Sequence, residues 1–288
     1  MQTAQIFARR YVDLHIHTIH SDGSSTVKEV VEAAARKGLA AIAITDHDCI
    51  DAYPEALEAG AQLGIEVITG LELSSEIEGT DLHILGYFID TSNAILNRRL
   101  SEMKDARYVR ARKIVENLNR QGIDLRFETV LSIAGVGAIG RPHIAAAMLR
   151  EELVYSFRQA FEQYLGYGLP AYVEKYRMHP REVFDLIKQA GGIPVLAHPG
   201  VTKVEERIPE FIRDGVLGIE TYHTEHSAAS RQNYIKIARK NGLAITGGSD
   251  FHNSSHNKSE IGVPRVPYGT VKSLKEMHSK LMQEEPAK

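Results

Sequence analysis

Val12-Asp13-Leu14-His15-Ile16-His17-Thr18-Ile19-His20-Ser21-Asp22-Gly23 is the stretch on which the reading of this chain turns. Apolar Val12, Leu14 and Ile16 alternate with Asp13, His15 and His17, the period of a strand, in which residues two apart face the same side. The pattern therefore sends both imidazoles in one direction at a strand end. With the Asp22 carboxylate five residues on, that grouping suits a divalent cation. A pair of surface histidines is the plain alternative, and later segments decide between the two.

Five of them repeat the arrangement of an apolar run ending in a ligand-type residue. They are Ala41–Ile44 before Thr45-Asp46-His47-Asp48, Val67–Glu72, Leu82–Tyr87 with His83, Ile193–Leu196 before Ala197-His198, and Ala244–Gly247 before Asp250-Phe251-His252. One such histidine reads as a core residue satisfied by backbone. Six of them at strand ends, with Asp22, Glu72 and Asp250, read as a metal cluster where α/β barrels keep their active sites.

The chain has 288 residues, 43% apolar and 25% charged, enough for one large domain or a barrel with an insertion. No apolar run approaches the roughly 20 residues of a membrane span, so no membrane association is expected. The single cysteine, Cys49, excludes an internal disulfide and fits a reducing compartment, and the expected location is the cytoplasm. Cys49 follows Asp46-His47-Asp48, and beside so many nitrogen and oxygen donors it reads as a bystander. A net charge of −3 gives no global attraction to nucleic acid. Locally, Lys104, Arg107, Arg110 and Lys113 fall on one helix face, which is either a solvated surface or a groove that steers a polyanion. Nothing in the sequence calls for an obligatory protein partner.

Strand and helix alternate over residues 1–91. Thr26 to Glu29 matches a capping box that opens a helix ending near Gly38, and a second helix spans Pro54 to Leu63 before Gly64. Ser74 to Thr80, with Gly79, reads as the turn of a hairpin. Residues 92–170 carry helical periodicity without a clear buried strand, an insertion. Over 171–288 the alternation resumes, with helices from Pro180, near Val204–Arg213 and over Ser227–Asn241, a strand at Gly218–His223, and a frayed tail from Met282. The total is seven strands in an α/β chain, mostly in βα order.

The HxH at a strand end, the Thr45-Asp46-His47 segment, Glu72, the further histidines and the closing Asp250-Phe251-His252 resemble the polymerase and histidinol phosphatase (PHP) family, in family order across residues 13 to 252. The resemblance implies a distorted (β/α)7 barrel that holds two to three divalent ions (Mn²⁺, Fe²⁺ or Zn²⁺). It implies a first position made by His15, His17, Glu72 and Asp250. Glu72 would bridge to a second with His83 and His198, and a third would take Asp22, His47 and His252. His20 competes with Asp22 for its place. A structural zinc site is the rival reading, but such sites are small, closed and cysteine-rich.

Asp22, the insertion and Gly140-Arg141-Pro142-His143 look like the branch that dephosphorylates nucleoside 3′,5′-bisphosphates or trims 5′-phosphorylated RNA from its 5′ end. The expected partner is thus a phosphorylated nucleotide or a short RNA, hydrolysed by a metal-activated hydroxide. Histidinol-phosphate phosphatase and a non-catalytic, metal-stabilised nucleic-acid-binding or regulatory module are the alternatives. Arg141, before the helix-starting Pro142, is the candidate phosphate clamp. His143 either assists it or caps the helix. His223 contacts substrate or protonates the leaving group. Asp46 and Asp48 are expected to orient ligating imidazoles, and Glu220 to be a buried structural residue.

Overall fold

The computed structural model of the chain describes residues 11–176, 178–253 and 259–284. β1 (Tyr11–Ile16) and β2 (Ala41–Ile44) pair in parallel across α1 (Val27–Arg36). The capping box forms as expected: Thr26 Oγ1 accepts from the Glu29 N–H, and the Glu29 carboxylate accepts from the Thr26 N–H at 2.8 Å. α2 (Tyr53–Leu63) stops at Gly64, whose φ of +64° ends the helix, and β3 (Glu66–Ile68) returns parallel to β2.

The strand expected over Val67–Glu72 is broken at Thr69. β4 (Gly70–Ile77) leaves β3 and pairs antiparallel with β5 (Thr80–Tyr87) across Glu78-Gly79, the anticipated hairpin. Tyr53 holds the break open. Its hydroxyl accepts from the Gly70 N–H and lies 2.5 and 3.0 Å from the carbonyls of Ile44 and Ile68.

The insertion is helical: α3 (Ala94–Arg120), α4 (Phe127–Ala134), α5 (Arg141–Arg150) and α6 (Phe157–Ala160), which runs into a π turn at Phe161–Leu165. α3 ties it to the rest. Leu96, Leu100 and Met103 pack with Phe184 and Ile187, whereas Ile114, Leu118, Val130, Ile144 and Met148 form a separate apolar core. Next come α7 (Pro180–Gln189), β6 (Ile193–Leu196), α8 (Pro199–Thr202), α9 (Ile208–Asp214), β7 (Gly218–Tyr222), α10 (Ala228–Asn241), β8 (Ala244–Gly247), β9 (Val266–Pro267) and α11 (Gly269–Glu284).

The described residues thus hold nine strands rather than seven, in sheets ordered β3-β2-β1-β9 and β4-β5-β6-β7-β8. The break at Thr69 and the two-residue β9 make the difference. α11 was not anticipated; Val271 and Leu274 bury themselves beside Val12, Leu14 and Val195 in a core shared by both sheets. Its last turn takes in Met282, the start of the expected tail, and the tail's residues from 285 lie outside the described part. No helix among the described residues is long and apolar enough to cross a membrane.

The register slips between Asp13 and Ile16, which divides the apolar set of β1. Val12 and Leu14 face the shared core, while Ile16 joins Val27, Val31 and Ile44 under α1. Near the C-terminal ends of β1, β2 and β8 the sheets meet twice. The Asp48 N–H donates to the Glu72 carbonyl at 2.9 Å, and the Asp250 and His17 N–H groups reach the His15 and Phe251 carbonyls at 2.9 and 2.8 Å. Gly248 permits the second junction, since a Cβ there would lie 2.3 Å from the His15 nitrogen.

Candidate metal centre

The two junctions bring the strand-end donors together. His15 Nε2 lies 3.1 Å from His17 Nε2, 3.2 Å from Glu72 Oε2 and 3.3 Å from Asp250 Oδ1. His17 Nε2 lies 3.1 and 3.2 Å from the same two oxygens. Donors at that spacing surround a point about 2 Å from each, the length of a zinc bond to imidazole nitrogen or carboxylate oxygen. Glu72 is the hub. Its Oε2 also faces His47 Nδ1 at 3.2 Å, and its Oε1 faces His83 Nδ1 and His198 Nε2, both at 3.0 Å. A third group joins His17, Asp22, His47 and His252, with Asp22 Oδ1 3.2 Å from His252 Nε2.

Asp22, and not His20, enters this cluster. The turn after β1 folds back on Thr18, whose carbonyl accepts from the Ser21 and Gly23 N–H groups, and Asp46 clamps it by accepting from Thr18 Oγ1 at 2.7 Å and Ser21 Oγ at 2.6 Å. Gly23 closes it, since a Cβ there would meet the His17 carbonyl oxygen at 2.6 Å. Several supporting residues hold positive φ: Asp48 (50°), His198 (24°) and Asp250 (53°). Strain of this kind collects where surrounding structure fixes a functional geometry.

The expected supports are redistributed. Glu220, read as structural, accepts from His15 Nδ1 at 3.0 Å and from the His198 N–H at 2.8 Å, so it orients one candidate ligand and anchors another. Among the described residues Asp46 reaches a ring only through Ser21 Oγ, 3.5 Å from His17 Nδ1. Asp48 touches no imidazole among the described residues: it receives Arg107 Nε at 2.9 Å and the Ser74 N–H at 2.7 Å. The reason is backbone direction, because at Asp48 the chain crosses toward β4 and its carboxylate faces the insertion. Asp13, given no role from sequence beyond its place in the alternation, accepts from the Ser249 and Gly262 N–H groups and so ties β1 to the segment that carries Asp250.

Burial pushes the carboxyls of Asp22, Glu72 and Asp250 up, yet the imidazoles around them outweigh it and hold all three well below the usual range. Burial drives His47 down to about 3 against the pull of Glu72 and Asp22. His17 moves the other way, to about 10, because hydrogen bonds to Asp250 and Glu72 overcome its burial. Asp22 Oδ1 and His47 Nδ1 are buried without a hydrogen-bond partner among the described residues. Ionised carboxylates, imidazole nitrogens turned toward one another and buried polar atoms without hydrogen-bond partners form a set that divalent cations fit.

A cavity of about 330 Å³ opens on Asp22, His47 and His83, and four cations from the insertion side line it: Arg107, Arg110, Arg141 and Lys175. Arg141 stands at the start of α5, its guanidinium 5.7 Å from the Phe161 ring and 5.8 Å from the Tyr172 ring, donating to the Leu165 carbonyl at 3.2 Å. Arg110 Nε donates to the Val173 carbonyl at 2.8 Å. Lys175 is pushed down to about 8 by burial and by Arg107, and Arg110 to about 10 by burial and by Arg141. Asp22 and Asp81 are the carboxylates that line the same cavity, so its four cations are in excess. The helix face expected to act together divides: Arg107 and Arg110 enter the cavity, while Lys104 and Lys113 are exposed. Lys175 was missed, since Glu174-Lys175-Tyr176 has no periodicity to mark it.

His143 caps α5, its Nδ1 accepting the Gly140 N–H at 3.0 Å, and it lines a neighbouring apolar cavity with Ile133, Val136 and Phe157. His223 is buried behind the centre, its Nδ1 accepting the Glu225 N–H at 3.2 Å and its Nε2 3.5 Å from Asp250 Oδ2.

Imidazoles and carboxylates converging under a rim of guanidiniums define a metal-dependent phosphoesterase. The chain belongs to the PHP domain family, whose model matches residues 13–165. It is 33% identical over 257 residues to the 3′,5′-nucleoside bisphosphate phosphatase of Chromobacterium violaceum, covering 87% of this chain and 90% of that one. A 5′-3′ exoribonuclease of Haemophilus influenzae is 33% identical over 245 residues, covering 83% and 89%. Among solved structures, one described as a metal-dependent phosphoesterase from Bifidobacterium adolescentis superposes with a TM-score of 0.84 at 30% identity, over 91% of this chain and 94% of the other.

Proposed function

We propose that this chain hydrolyses phosphate esters of nucleotides, as a nucleoside 3′,5′-bisphosphate 3′-phosphatase or by trimming short 5′-phosphorylated RNA. The observation that carries the reading is the pairing of the Glu72-centred donor set with a cavity bearing Arg107, Arg110, Arg141 and Lys175. A substrate with two phosphates can engage both. The Chromobacterium relative is by name a phosphatase of nucleoside 3′,5′-bisphosphates, and the Haemophilus relative a 5′-3′ exoribonuclease.

His15, His17, Glu72 and Asp250 would hold one cation, Glu72 with His83 and His198 a second, and Asp22, His47 and His252 a third. Manganese, iron and zinc all suit this donor set. Bound there, such ions would lower the pKa of a bound water toward neutrality and offset charge on the phosphoryl oxygens. The chain's own groups do the remaining work. Glu220 keeps the His15 Nδ1–H in place, so Nε2 presents a lone pair. Arg141 binds a phosphate oxygen at the N-terminus of α5, and Arg110 and Lys175 extend the anion site. For His143 the contacts support a helix cap, and for His223 the backing of Asp250, over direct substrate contact.

We read the two sheets as arcs of one distorted (β/α)7 barrel, the junctions at Glu72 and His15 supporting closure, with residues 92–170 an insertion between 1–91 and 171–288. The lone cysteine supports a cytoplasmic location.

The test is phosphate release by manganese-reconstituted protein from adenosine 3′,5′-bisphosphate, a 5′-phosphorylated RNA oligomer and histidinol phosphate in parallel. Turnover of either nucleotide substrate, abolished in His17→Ala, is expected. Preference for histidinol phosphate would overturn the substrate class, and silence on all three with metal bound would make the chain a binding module.

A further inference from the structure

His20, Cys49 and Asp51 meet outside the Glu72 centre. His20 comes from the loop after β1, and Cys49 and Asp51 from the loop after β2. An imidazole nitrogen, the Cys49 sulfur and a carboxylate oxygen all lie within 4.8 Å of one another. His20 Nδ1 is buried with no hydrogen-bond partner among the described residues, and Cys49 is itself buried. A cavity of about 420 Å³ opens at the group, lined by His20, Asp51, Lys104, Tyr108 and Val136. None of these residues has a part in the reaction proposed above.

We propose that His20, Cys49 and Asp51 form a separate site for a zinc-class divalent cation. One thiolate, one imidazole and one carboxylate favour zinc over the harder manganese or magnesium, and three protein ligands leave a fourth position for water from the cavity. The frame is held from behind. The His20 carbonyl accepts the Ala138 N–H at 3.1 Å, its N–H donates to Thr18 Oγ1 at 3.2 Å, and the Asp51 N–H donates to Cys49 Sγ at 3.4 Å. Asp51 is the movable member: its side chain is 57% exposed and its Lys104 contact of 3.8 Å is a solvent-screened pair that yields easily. Coordination transfers the Cys49 thiol proton to solvent as the sulfur–metal bond forms. The bound ion would clasp the loop that carries Asp22 to the loop that carries His47, which makes it a device acting on one edge of the catalytic centre.

Cobalt separates the two sites. Cys49 is the single cysteine of the chain, so a near-ultraviolet sulfur-to-cobalt charge-transfer band reports on this site alone, whereas the Glu72 centre has only nitrogen and oxygen donors. Titration of reduced, chelator-stripped full-length protein with Co²⁺ is expected to raise that band, and Zn²⁺ to erase it. Cys49→Ser should lose the band and keep visible cobalt absorption from the main centre. His20→Ala and Asp51→Asn, at less buried positions, should shift its midpoint to higher cobalt, so the test survives if the cysteine variant fails to fold. Visible cobalt absorption without the charge-transfer band, or a band whose midpoint ignores both His20→Ala and Asp51→Asn, would overturn the proposal.

Discussion

Glu220 accepts from Nδ1 of His15 at 3.0 Å, with both side chains fully buried. The bond selects the His15 tautomer, and the second Glu220 oxygen holds the His198 backbone at 2.8 Å, so one carboxylate sets two candidate ligands. Glu220→Gln keeps the shape and removes the charge. Metal affinity should fall about 10- to 100-fold with the fold retained, read by competition against a chelating indicator. Unaltered affinity would reduce Glu220 to packing.

Arg141→Ala removes a guanidinium that lines the cavity while leaving every candidate metal ligand in place. A charged hydrogen bond to phosphate contributes about 1.5–3 kcal/mol, so KM should rise roughly 10- to 100-fold. Metal content, measured on the same preparation, should not change. Kinetics identical to the unsubstituted protein would remove Arg141 from the site.

Lys175 sets an alkaline limb. Burial and Arg107 bring its pKa to about 8, so it loses its charge, and its hold on phosphate, as pH rises through that value. KM should therefore climb above about pH 8, and the climb should vanish in Lys175→Gln. The stability sign follows from the same shift. The folded state binds this proton more weakly than the unfolded chain does, so the penalty is fully present below about 8 and disappears toward the ordinary 10.5. Lys175→Gln should accordingly raise Tm at pH 7 more than at pH 10.

Arg107 neutralises a buried Asp48. Burial pushes that carboxyl up, but Arg107 and Lys175 prevail and hold it at about 2. Arg107→Ala leaves the anion without its main partner and should cost about 3–5 kcal/mol at pH 7. A depressed carboxyl stabilises the fold above 3.8 and loses that contribution as pH falls toward 2. The gap between the two proteins should thus narrow in acid, which urea denaturation at pH 7 and pH 3 would measure.

His15, His17, His47, Glu72, His198, Asp250 and His252 were legible as candidate donors because each ends or follows an apolar run, whereas His83 lies inside β5 and was marked only by its place in the family order. The helix starts at Thr26 and Pro180 were legible for the same local reason: their caps and fixed φ depend on residues a few positions away. The hairpin at Gly79 belongs with them.

Tertiary structure alone decided the rest. Sequence favoured Asp22 with His20 as a competitor, and the clamp of Asp46 on Thr18 and Ser21 sends one toward His252 and the other toward Cys49. The break at Thr69 depends on a tyrosine sixteen residues earlier. Glu220, Arg107 and Lys175 take their roles from partners up to 205 residues away. Local periodicity records which face a side chain occupies. It carries no information about which distant charge will stand opposite, and that pairing sets the pKa values and the supports of this centre.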